Sequence, residues 1–386
     1  MNDTLLGVLV PWLLERRLLS PSTPWSARVQ DFLERPEGLV LHLELLAALR
    51  AAGPDSLAGL GELLAARGVA PRTLDLPGRD DVLRLGVVSD LHLASWSEAE
   101  VDARLAQVRV DPPDVLVVAG DLASHPGWFA AALDRLAGPW TTLVLAGNHD
   151  LWSARLDDRD VVRKPSSRFP RDLPPPPPVP GWTGALPPSS QELWDDVLPD
   201  LTRRAGAIWL ENEPVMIPEY RLALAGSIGW YDYSADRTGR SVAELAATKG
   251  QRAMDAVRVD WPWSDVLFAG ERLLQLGLIL QWLASRPEVD GTAVFTHVPA
   301  FLEQRSPALE ADERLRSGDA YFYFPTLGEL LRLAPKVVSL VSGHTHRAHA
   351  LDIPRPGRLP LPVAVVDDET DPGMLVRRWS HRGRWL

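Results

Sequence analysis

The chain has 386 residues, 46% of them apolar and 24% charged, enough for a catalytic domain with an accessory region and an ordinary globular core. A formal net charge of -11, with no long basic run, argues against tight binding to long DNA or RNA. Cysteine is absent, which excludes disulfides and thiolate metal sites and leaves His, Asp, Asn and Glu as the candidate metal ligands.

In chain order, the first 80 residues read as helical. The apolar stretch 5–14 has Asp3 where a targeting segment would carry a basic residue, and it is too short to span a bilayer. A buried helix, no membrane insertion and a cytoplasmic location are expected. Further helices are expected over 39–52 and 56–67, the second capped by Ser56 and stopped at Gly68.

From residue 82 the pattern changes to short Val- and Leu-rich runs at 83–89, 115–119 and 143–146, the mark of buried strands. A helix with the capping box Ser97-Glu98-Ala99-Glu100 lies between the first two, and a helix over 126–137, closed by Gly138, follows the second. Such alternation predicts a layered α/β fold. Residues 153 to about 206 interrupt it as a Pro-rich excursion, five consecutive prolines at 174–178 favouring an extended surface path. Strands are then expected at 207–210, 222–225, 292–295 and 337–341, a long buried helix at 264–284, and more β structure over 348–366.

Polar residues able to bind metal follow these strands: Asp90 and His92, Asp121, Asn148-His149-Asp150, His297, then His344 and His346. The carboxyl ends of strands form the edge where α/β sheets bind ligands. Imidazoles and carboxylates suit ions such as Mn, Fe or Zn, and seven ligands are too many for one ion. Asp90 or His297 alone would be an ordinary turn or structural residue. His125 and His349 lie near these motifs without occupying a ligand position, Asp114 and Asp157 are read as turn or surface acids, and Arg347 as a surface arginine. Trp96, Trp152 and the run from Trp230 to Tyr233 are either core filler or stacking surfaces.

Taken in order, Asp-x-His, Gly-Asp, Gly-Asn-His-Asp, a lone His and Gly-His-x-His resemble the calcineurin-like metallophosphoesterase superfamily over residues 82–366. The resemblance implies a four-layer α/β/β/α sandwich; residues 1–80 depart from the family pattern as an N-terminal helical extension of unknown role, and 81–386 form the catalytic domain. It also implies two divalent metal ions, one on Asp90, His92 and His346, the other on Asn148, His297 and His344, with Asp121 bridging. His149 would act on the substrate, with Asp150 orienting its ring. The expected activity is hydrolysis of a phosphodiester or phosphomonoester of a small molecule, through hydroxide made available on the metals. A nuclease, a protein phosphatase or a non-catalytic scaffold are the alternatives, and the N-terminal helices could support a homo-oligomer.

Overall fold

The computed structural model describes residues 9, 59–76, 82–93, 98–155, 175–307, 310, 318–366, 375–380 and 384–385. The expected helices at 5–14 and 39–52, the caps Ser56 and Ser97, and Trp96 and Asp157 lie outside the described residues, Leu9 apart.

Helix α1 (Leu60–Ala66) begins after Gly59 and ends before Gly68, whose φ of 76° is the left-handed stop read from the sequence. Strand β1 (Arg72–Thr73) follows, then β2 (Val82–Val88), α2 (Glu98–Val110), β3 (Val115–Ala119), α3 (Pro126–Leu136) and β4 (Thr141–Leu145). After the Pro-rich stretch come α4 (Leu198–Arg204), β5 (Ile208–Trp209), β6 (Val215–Ile217) and β7 (Leu222–Ser227). Helices α5 (Val242–Thr248), α6 (Asp255–Arg258) and α7 (Asp265–Ala284) precede β8 (Gly291–Thr296) and α8 (Pro325–Leu333). Strands β9 (Val337–Ser342), β10 (His349–Ile353), β11 (Leu361–Val365), β12 (Leu375–Ser380) and β13 (Arg384–Trp385) complete the order.

These strands form two sheets, ordered β1-β6-β7-β8-β9-β11-β10 and β13-β12-β2-β3-β4-β5. Most pairings at their centres are parallel, while β12 lies antiparallel to β2. Nearly every residue of β3, β7 and β8 is buried, yet the two faces differ. Leu83, Leu85, Val117, Leu143, Leu222, Leu224, Phe295 and Trp379 share the core between the sheets. Leu116, Val118, Val144, Ala223 and Val294 turn outward onto the helical layers. The outcome is the expected four-layer sandwich of two sheets flanked by helices.

Helix α7 is apolar on nearly all sides, and among the described residues it is the one long and apolar enough to cross a membrane. It is a core helix, with 78% of its most apolar window buried. Ser264 caps it by accepting the Leu267 N–H.

Two features add to the expected organisation. Residues 59–76 are not set apart from the catalytic fold: Gly61 lies against Trp282 of α7, and β1 pairs with β6 in the first sheet. Within the stretch 153–206, residues 190–204 are helical, with a π turn at Leu193–Val197. Ser189 and Glu192 form a capping box there, and Leu193, Trp194, Val197, Leu198 and Leu201 bury one face. Pro175, Pro176, Pro178, Pro180 and Pro187 are exposed, Pro188 is buried, and Pro177 rests on Gly127 at the start of α3.

Candidate metal centre

Each strand that precedes a candidate ligand ends within four residues of it. β2, β3 and β4 bring Asp90, His92, Asp121 and Asn148 from one sheet, while β8 and β9 bring His297, His344 and His346 from the other. The rim is therefore shared by two sheets. His344 N–H donates across to Asp90 Oδ2 at 3.0 Å. Ala119 O accepts from Ser89 Oγ at 2.8 Å and from His297 Nδ1 at 2.9 Å.

Backbone conformation marks the same residues. Among the described residues, seven non-glycine residues have positive φ, and five of them are Asp90, His92, Asp121, His344 and His346. The left-handed region costs an L-residue about 1–2 kcal/mol, so such a cluster persists only where surrounding structure imposes it and points to function. Two glycines allow the loops to approach so closely. A Cβ on Gly147 would collide with the Asp121 carboxylate, and one on Gly343 with Ser89 and Asp90.

The side chains converge in two groups. Asp90, His92 and His346 offer ligand atoms within 4.8 Å of one another, as do Asp121, His297 and His344. In the first, His92 Nε2 and His346 Nε2 face each other at 3.4 Å, and His346 Nε2 is 3.4 Å from Asp90 Oδ1. In the second, His297 Nε2 lies 3.0 Å from Asn148 Oδ1, 3.2 Å from His344 Nδ1 and 3.4 Å from Asp121 Oδ1. Asp121 faces both groups, with its Oδ2 3.7 Å from His92 Nε2.

Burial and charge fit cation binding. Burial holds His92 and His344 well below the usual histidine range, which keeps their rings neutral and their lone pairs free. Burial also works against a charged His297, but Asp121, its hydrogen bond and Asp90 outweigh it and raise that ring to about 10. Burial raises Asp90; it opposes ionisation of Asp121 too, yet the surrounding imidazoles, His297 foremost, pull that carboxyl well down. An ionised carboxylate ringed by nitrogen donors aimed at one another is the donor set that divalent ions satisfy.

His149 sits at the edge of the cluster. Its Nε2 is 3.9 Å from Asp121 Oδ2, its Nδ1 is 3.1 Å from Ser124 Oγ, and its ring stacks on Trp152 at 3.7 Å between centroids. With His92 and Asp121 it makes a third close group.

The expected role of Asp150 is corrected by the structure. Its Oδ1 accepts from Ala123 N–H at 2.9 Å and its Oδ2 from Gly147 N–H at 2.8 Å, so it ties two loops together and does not orient the His149 ring. Both residues lie on the 3-10 turn His149–Leu151, which rotates successive side chains by about 120° and sends Asp150 inward. Ser124 is the hydroxyl beside His149 Nδ1.

Asp255 was not singled out from the sequence. Its Oδ1 accepts from Asn148 Nδ2 at 2.9 Å and Trp152 Nε1 at 2.8 Å, and its Oδ2 from Tyr231 OH at 3.2 Å. No local signal marks it, since it opens the short helix α6 more than a hundred residues from Asn148. Trp230, Tyr231 and Tyr233 are buried, so the aromatic run is core and offers no stacking surface. His125 caps α3 by accepting the Gly127 N–H, Asp114 accepts the Arg84 N–H, His349 opens β10 half-buried, and Arg347 is exposed.

Residues 83–348 match the family model for calcineurin-like phosphoesterases. The chain belongs to that family. This phosphoesterase is accordingly a metal-dependent hydrolase of phosphoric esters, and its His and Asp clusters are candidate sites for the divalent ions that the family implies. No curated protein matches it. Solved structures similar to the phosphoesterase include a phosphopantetheinyl hydrolase from Mycobacterium tuberculosis, with 19% identity, a TM-score of 0.49, and coverage of 78% of this chain and 90% of that one. A dimetal phosphatase from Danio rerio has 13% identity and a TM-score of 0.42, over 78% and 92% of the two chains. A protein serine/threonine phosphatase from Saccharomyces cerevisiae has 10% identity and a TM-score of 0.30, over 85% and 90%.

Proposed function

We propose that the phosphoesterase works with two divalent ions, one held by Asp90, His92 and His346, the other by Asn148, His297 and His344, with Asp121 shared. The observation that carries this reading is the meeting of two donor groups at Asp121, whose carboxylate is 3.4 Å from His297 on one side and 3.7 Å from His92 on the other. Bound there, divalent ions would supply hydroxide at neutral pH and offset charge on the phosphoryl oxygens.

The protein's own groups do the rest. His149 is a few ångströms from the centre and outside both donor groups, placed to pass a proton to the departing alkoxide or to hydrogen-bond a phosphoryl oxygen. Burial lowers its pKa below the usual histidine value, with Asp121 opposing that shift. Ser124 Oγ at Nδ1 and Trp152 against the ring limit its orientation.

The substrate in this reading is a small phosphorylated molecule, a phosphodiester first. Support comes from the net charge of -11, which repels long polyanions, and from the Gly147-Asn148-His149-Asp150 motif. Hydrolysis of an aryl phosphodiester and an aryl phosphomonoester, before and after chelation and after return of Mn, Fe or Zn, tests it. Activity lost with chelator and regained with metal is expected, whereas turnover indifferent to metal removal would refute it.

A further inference from the structure

We infer that Asp255 is the positioning residue that sets Asn148 and His149 together, linking metal affinity to proton transfer through one buried carboxylate. The inference rests on the dinuclear reading above and adds a residue outside its donor set.

A carboxylate can only accept hydrogen bonds. Asn148 must therefore present its amide nitrogen to Asp255 Oδ1, at 2.9 Å, and this turns Asn148 Oδ1 toward the cluster, 3.0 Å from His297 Nε2. The opposite amide orientation would set two acceptors against each other and point N–H groups where a cation belongs.

The same Oδ1 accepts from Trp152 Nε1 at 2.8 Å. Trp152 stacks on the His149 ring at 3.7 Å with an interplanar angle of 24°, and His92 meets that ring edge-on at 4.6 Å. The imidazole is thus held between an indole anchored by Asp255 and a ring of the first donor group. Asp255 itself is 3% exposed and is held in turn by Tyr231 OH. Helix α6 is fastened to the His149 loop where Ser153 N–H donates to Arg258 O at 2.8 Å.

The test uses the full chain and Co2+, followed by visible absorption. Wild-type protein should take two Co2+; fewer than two would count against the dinuclear reading itself. Asp255→Leu removes the acceptors while keeping a branched side chain, and the affinity of the second Co2+ should fall roughly 10–100-fold, as for other groups that orient metal ligands. Asp255→Asn keeps an oxygen for both donors and an N–H for Tyr231, so it should restore most of the loss. A folded Asp255→Leu protein with wild-type Co2+ affinity overturns the inference, and so does an Asp255→Asn protein as defective as the leucine variant.

Trp152→Phe removes the indole N–H together with part of the ring stacked on His149, and tests the His149 arm even if Asp255→Leu does not fold. It should bind two Co2+ yet show lower kcat with little change in KM and a displaced pH–kcat profile. Wild-type kcat and pH profile in that variant would overturn the link to His149.

Discussion

At the scale of single residues, His149 and Asp121 divide the chemistry. His149→Ala should lower turnover by roughly 10²–10⁴-fold, the range for a lost general acid, while metal analysis still finds two ions per chain. Because His149 forms a close group with His92 and Asp121, the metal count decides its role, and loss of an ion would make it a ligand. Asp121→Ala should disturb both ions together. Retention of one ion at full affinity in that variant would argue against a bridge. The candidate ligands were legible in the sequence because each follows an apolar strand within a short polar motif. Asp150 was misread because adjacency in sequence does not set the direction of a side chain on a 3-10 turn. Asp255 and Ser124 were missed because they gain meaning only from partners elsewhere in the chain.

At the scale of elements, the centre depends on how strand ends are fastened. Glu211 is buried between β5 and β6, and its carboxylate accepts from the backbone N–H groups of Ala146, beside the Asn148 loop, and Ile228, beside β7. His297 N–H in turn donates to Ile228 O at 3.2 Å. Burial, opposed by Arg272 and those two amides, raises the Glu211 carboxyl from 4.5 to about 8. Between these values the unfolded chain has released the proton while the folded one retains it. The stabilisation this group gives at low pH is therefore lost as pH rises toward about 8. Glu211→Gln should flatten that decline in the melting temperature of metal-free protein, and identical pH profiles for the two proteins would contradict it. Strand β12 presents another case. Trp379 is 1% exposed in the layer between the sheets and donates to Tyr220 O at 3.0 Å. Trp379→Ala should cost about 3–5 kcal/mol in denaturant unfolding, and a cost under 1 kcal/mol would mean that β12 adds little to the sandwich. The sequence reading passed over β12, since a short mixed run of Arg and apolar residues has no strong period until β2 supplies its partner.

For the molecule as a whole, two sheets joined through acidic and imidazole side chains should be stabilised by the ions those side chains hold. Ligand binding to the folded state alone adds about 2.7 kcal/mol per site at a hundredfold excess over Kd. Chelation should accordingly lower the melting temperature, and returned Mn, Fe or Zn should raise it. An unchanged melting temperature would be inconsistent with cations bridging the rim.

The sequence by itself determined the family, the strand–helix alternation and the candidate donor residues, because strand periodicity and strand-end motifs are local properties. Tertiary structure alone decided that the donors come from two facing sheets and that Asp255, rather than Asp150, stands behind the site. It also decided that the aromatic run is buried and that residues 59–76 join the catalytic fold. Those outcomes depend on which surfaces pack together, and packing is set by contacts between residues far apart in the chain.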